Sequence, residues 1–95
     1  MKSVDGGLYL VEHRLPKVTE YELALLQAAL AAACSRSTAR GERVGYLGST
    51  FLPASERLLS LFAATGADAV RHVVENSQAP PVALEVAIEL PLPRG

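Results

Sequence analysis

The chain has one cysteine, Cys34, and no tryptophan. A single thiol cannot close an internal disulfide, and there is no Cys-x-x-Cys pair to hold a metal or exchange thiols. Cys34 sits in "ALAAACSRS", where the role expected of it is a small buried hydrophobe. Histidine is scarce too, and His13 and His72 do not have ligand spacing. Lys and Arg number 9 against 10 Asp and Glu, for a net charge of -1, and they form no run. That leaves no electrostatic footprint for nucleic acid or for an anionic membrane surface. No apolar stretch approaches the length that spans a bilayer, and "MKSVDGG" lacks the basic-then-apolar order of a secretory signal, so the expected location is cytoplasmic. A nucleophile triad and a phosphate-cradling glycine loop are also missing, since "GYLGS" is too short and reads as strand.

What is present is an ordinary globular composition, 49% hydrophobic and 20% charged over 95 residues. That is enough for one domain, 1–95, with one core, so a cleft between lobes would need a second copy of the chain. "LYLVEHRLP" reads as a strand that Pro16 ends. In "VTEYELALLQAALAAACSRS" the spacing of Leu23, Leu26, Leu30 and Ala33 predicts a helix, opened by a capping box of Thr19 and Glu22, and "SRSTARGER" is expected to break it. "VGYLGSTFL" and "ERLLSLFAA" read as a hairpin around Pro53. Thr65 and Asp68 repeat the capping pattern before a second helix whose buried face is Val70, Val73, Val74 and Ser77, and "QAPPV" ends it. In "ALEVAIEL", Leu84, Val86, Ile88 and Leu90 alternate with Glu85, Ala87 and Glu89.

Strand, helix, strand, strand, helix, strand is the split-βαβ order of an α+β, ferredoxin-like βαββαβ fold: a four-stranded antiparallel sheet with two helices on one face. The other face is bare unless something packs on it. Side-chain alternation then sorts the residues. If Leu84, Val86, Ile88 and Leu90 meet the helices, Glu85 and Glu89 are on the open face. Leu8, Leu10, Glu12 and Arg14 join them, with Tyr9 and Val11 inside and His13 at the rim of the strand end. In the hairpin, Leu47, Ser49, Phe51, Leu59 and Leu61 are expected to face the helices, and Tyr46, Gly48, Thr50, Ser60 and Phe62 the open side. A face that apolar is expected to be covered, making a homodimer through the open sheet with a lined cavity between the copies.

From "YLVEH" through "VGYLGSTF" and "ERLLSLFAATGADAVRHVV" to "LEVAIEL", the chain resembles the small ferredoxin-like dimeric proteins of the SCO4226 type, in which a nickel-binding member is known. The resemblance places that family's strand Glu on Glu12, its Trp on Tyr46, its second aromatic on Phe62, and its helical Ala and Arg on Ala69 and Arg71. Its His falls on Gly48, its Cys on Ser60, and the acidic residue after its Tyr on Ala63. The resemblance implies that fold and dimer are kept while the mixed N/S/O ligand set is lost, because one carboxylate with a hydroxyl is a poor nickel site. No metal and no cofactor are therefore expected.

One carboxylate among apolar side chains suits general acid/base chemistry, since desolvation raises its pKa. The residues point to a cofactor-independent enzyme or binder acting on a small, largely apolar organic molecule, with isomerisation or cyclisation as the natural reaction class. Glu12 is the candidate catalytic group, and Leu10, Tyr46, Thr50, Ser60, Phe62 and Glu85 are candidate substrate contacts. Solvation of Glu12, or its pairing with Arg14, would be the merely structural alternative. Two further readings stand beside this one: a divalent-metal binder that recruits His13 and the sheet carboxylates, and a structural dimerisation module.

Overall fold

The computed structural model describes residues 6–77 and 81–93 of the chain. Its elements run β1 (Gly7–Arg14), α1 (Glu20–Ala39), β2 (Val44–Leu52), β3 (Arg57–Ala64), α2 (Ala67–Glu75) and β4 (Ala83–Ala87). The strands form one four-stranded sheet in the order β2-β3-β1-β4, and all three pairings are antiparallel. This is the ferredoxin-like α+β arrangement read from the sequence.

Helix α1 starts where the capping box places it. The Thr19 hydroxyl accepts from the Glu22 backbone N–H at 3.1 Å, and the Glu22 carboxylate accepts from the Thr19 N–H at 2.9 Å. Its buried side is Leu30, Ala33, Cys34 and Ser37, with Leu26 packed alongside. The polar stretch expected to break it does not, and the helix continues to Ala39. The Ser37 hydroxyl donates to the Glu42 carbonyl at 2.9 Å, and the Thr38 hydroxyl bridges Val44 N and O at 3.2 Å. These serines and threonines act as connectors to β2 rather than as breakers.

Helix α2 differs at its start. Its N-cap is Gly66, with no side-chain cap bond, so Thr65 does not cap it. Asp68 instead pairs with Arg71 one turn on, at 2.5 Å. Ala69, Val70, Val73 and Val74 form its buried stripe. The proposed stop in "QAPPV" falls partly on Gln78, Ala79 and Pro80, outside the described residues.

The core lies between the helices and one sheet face and centres on Val11, Leu30, Phe62, Val70 and Val74, all fully buried. Strand β4 departs from its predicted extent. It ends at Ala87, and although Leu84 packs against the core, Val86, Ile88 and Leu90 are 74–81% exposed instead of meeting the helices. With only nine residues, α2 does not cover an edge strand beyond Leu84.

Cys34 is buried, as its sequence context implied, and burial pushes its thiol from 9.0 up to about 11. Charging the thiol is therefore disfavoured in the native state relative to the unfolded one. Its contribution to stability should be fully present below pH 9 and should decline as pH rises towards about 11. Native Cys34 should react slowly with iodoacetamide at neutral pH and rapidly in urea. Equal labelling rates in the two states would contradict the buried placement.

Candidate functional site

The register fixes what shares the open face. Gly48, Leu61, Leu10 and Glu85 form one cross-strand row, and Thr50, Leu59, Glu12 and Ala83 form the next. Gly45, Ala63, Leu8 and Ala87 lie on one side of these rows, and Leu52, Arg57 and Arg14 on the other. The open positions of β1 are those predicted: Leu8, Leu10, Glu12 and Arg14. Thr50 and Glu85 are also where the sequence put them, and both are exposed.

Towards the end of this face where Leu52, Arg57 and Arg14 align, Arg57 Nε donates to Glu12 Oε2 at 3.1 Å. The pair runs diagonally across β1 and β3, with side chains 40% and 27% exposed. Arg14 stands directly opposite Arg57, so the carboxylate has two cations among its near neighbours along the ladder. Glu12 is thus neither an isolated acid nor the partner of Arg14. It is half of a donor–acceptor pair set among Leu10, Leu59 and Leu61, in surroundings partly withdrawn from solvent, where charge–charge attraction is stronger than in bulk water.

Tyr46, Ser60 and Phe62 are on the other side of the sheet, contrary to the expected parity. In β3 the buried residues are Leu58, Ser60, Phe62 and Ala64, so Leu59 and Leu61 face outward. Both sets are largely apolar, and alternation alone could not choose between them; Phe62, at 0% exposure, takes the core side. In β2 the cause is a bulge. The register slips between Tyr46 and Gly48, leaving Leu47 as the extra residue. Gly48 has φ +135°, backbone that favours glycine. Past the bulge, Ser49 and Phe51 face the helices as expected, but Tyr46 joins them.

The result is a row of hydroxyls beneath α1. Gln27 Nε2 donates to the Tyr46 hydroxyl at 3.3 Å, Tyr46 Oη and Ser49 Oγ are 2.5 Å apart, and Ser49 Oγ and Ser60 Oγ are 2.6 Å apart. Tyr46 also stacks at a tilt on Phe62, with ring centroids 5.5 Å apart. Fully buried Ser60 is thereby satisfied, which removes the polarity argument for placing it outside. His13 is likewise fully buried, opposite Leu58, and not at the rim. The β1 pairing carries on past it, because Leu15 N donates to Glu56 O at 2.8 Å.

The positions matched to the metal ligands therefore do not converge: Glu12 and Gly48 are on the open face, and Ser60 is beneath the helices. Among the described residues no three His, Cys, Asp or Glu side chains come close enough to hold an ion. His72 lies on the outer side of α2, where Nδ1 is 3.2 Å from Glu42 Oε1. No described helix is long and apolar enough to cross a membrane.

No protein-family model and no curated protein matches the chain. Among solved structures it is similar to the crystal structure of SCO4226 from Streptomyces coelicolor A3(2), with a TM-score of 0.69 over 93% of this chain and 100% of that one, at 22% identity. A likeness at that identity shows the fold, and it agrees with the resemblance carried by the sequence motifs.

The two faces predict opposite outcomes for two hydroxyl deletions. Ser60→Ala should cost about 0.5–1.5 kcal/mol in urea denaturation, because it removes one hydrogen bond from the hydroxyl row while Ser49 keeps Tyr46 as a partner. Thr50→Ala, on the open face, should stay within about 0.5 kcal/mol. The reverse order would mean that the hairpin register is wrong.

Proposed function

We propose that the chain is a homodimeric protein that holds a small, largely apolar organic molecule between the open faces of two sheets, with Glu12 and Arg57 as its polar anchor. The observation that carries this reading is the ion pair itself, which reaches from the end row of the sheet at Arg57 inward to Glu12 on a face that also carries Leu8, Leu10, Leu59, Leu61, Ala63 and Ala83. Leucines on that scale of surface favour cover by a second copy. Arg57 can donate to a ligand carbonyl while Glu12 accepts from a hydroxyl or takes a proton from carbon. Thr50 and Glu85 flank the pair and can select among oxygen-bearing ligands.

The chemistry that suits this pair is a proton shift within one molecule. Glu12 removes a proton from one position of the ligand and returns it at another, and Arg57 steadies the negative charge that develops on the ligand oxygen between the two steps. The atoms and electrons balance with no oxidant or co-reactant, as in an isomerisation or a ring closure. Tyr46, Ser60 and Phe62 have no part in it, since they are behind the sheet.

The test is native mass spectrometry of protein purified without added metal, followed by assay with whatever organic molecule it retains. Glu12→Gln should keep dimer and fold and reduce turnover by about a hundredfold or more. If the protein only binds, ligand affinity should fall instead. Tyr21→Ala, at an exposed position on α1 away from the sheet face, is the neutral control. Nickel titration should show no stoichiometric site tighter than roughly micromolar. Stoichiometric nickel or zinc, or a dry interface indifferent to Glu12→Gln, would overturn the reading.

A further inference from the structure

Two arginines stand side by side at one end of the open face. Arg14 and Arg57 are direct partners across β1 and β3, an arrangement of like charges that is destabilising unless something neutralises it. Arg57 has its counter-charge, because its Nε is 3.1 Å from Glu12 Oε2. Arg14 has none: it is exposed, and among the described residues its guanidinium is in no ion pair and no hydrogen bond.

The acids that could serve Arg14 are committed elsewhere. Glu56, in the turn before β3, accepts from the Lys17 backbone N–H at 2.9 Å. Glu22, which lines the same hollow as Arg14, accepts from the Thr19 N–H at 2.9 Å in the capping box of α1. Glu85 is opposite Leu10, four residues along β1 from Arg14, roughly 13 Å away at about 3.3 Å per residue. This end of the face therefore carries two cations against one anion, and the apolar surface of Leu59, Leu10 and Leu61 begins directly beyond it.

We infer that the molecule held on the open face is a monocarboxylic acid, with its carboxylate against Arg14 and its apolar body along Leu59, Leu10 and Leu61. The inference rests on the open face being the ligand site, and adds the charge of the ligand and the direction in which it lies. A guanidinium is a planar fork that meets a carboxylate with two parallel N–H···O bonds. Arg57 could take this role only by giving up Glu12, whereas Arg14 gives up nothing. One unmatched positive charge also selects the kind of ligand. A dianion such as a phosphate monoester would set its second charge beside Glu12, and a cation would meet two guanidiniums. With the carboxylate on Arg14, the carbons that follow it come abreast of Glu12, two residues along the strand, where a proton is to be moved. Arg14 is thus a binding and orienting residue, and Glu12 keeps the acid/base role.

Titration calorimetry of the full-length chain with octanoate and its neutral counterpart octanamide tests this. At low salt octanoate should bind about fivefold more tightly, the gain expected of a charge-assisted pair at a partly exposed site, and the advantage should shrink at high salt. Arg14→Gln should abolish the difference with octanamide affinity unchanged, and Arg14→Glu should turn the preference towards octylammonium. In NMR, the Arg14 Nε–H resonance should move on adding octanoate and stay in place on adding octanamide. Equal affinities in the native chain, or a preference for octanoate that survives Arg14→Gln, would overturn the inference. Equal affinities that both fall on Leu10→Ala would leave the reading of the open face standing while the charge assignment falls. Binding of neither probe, or binding indifferent to Leu10→Ala, would count against both.

Discussion

The architecture depends on which side of β3 faces the helices. That strand is central, paired to β2 on one edge and to β1 on the other, so its alternation sets the partners of both. Phe62 settles it. A fully buried ring against Tyr46, Tyr9 and the valines of α2 cannot be exchanged for the outward Leu61 without moving every side chain of the strand to the other face. Once Phe62 points inward, Leu59 and Leu61 must point outward, and Glu12, opposite Leu59, has leucines as its setting.

Much of this was legible in the sequence. Element order, the capping box at Thr19, the buried face of α2 and the parity of β1 follow from spacing and alternation, because in those segments one face is polar enough to declare itself. The hairpin gave no such contrast. "RLLSLFAA" offers two apolar faces, and its one polar residue, Ser60, reads as outward until Ser49 is seen to satisfy it. The bulge at Leu47 was hidden for another reason: a single extra residue leaves the composition unchanged while reversing the parity of what precedes it. Gly48 was the available signal. A glycine inside an otherwise regular strand often marks a bulge.

That distinction bears on the comparison with the nickel-binding type. Where the resemblance aligns a His, this chain has a glycine with φ +135°, and where it aligns a Cys, it has a serine bonded beneath the helix. Both residues have structural work here, in the bulge and in the hydroxyl row that runs from Gln27 to Ser60. Placing His at Gly48 would strain the backbone, and Cys at Ser60 would put the thiol on the far side of the sheet from Glu12. Restoring a ligand set would therefore require a different hairpin, not two side-chain exchanges.

The Glu12–Arg57 pair also says something about what can cover the open face. Two copies closing on each other without a gap would take both charges out of water, and a desolvated pair recovers that cost only when further hydrogen bonds satisfy the remaining donors and acceptors. The described residues around it on this face are Leu10, Leu59, Leu61, Ala83, Thr50 and Arg14, of which only Thr50 and Arg14 are polar and neither accepts or donates to the pair in this structure. Hydrophobic residues of similar volume would make a more stable dry interface. A charged pair kept among leucines is better suited to a face that stays partly open, where water, or the ligand oxygen of the proposed function, would supply the missing partners.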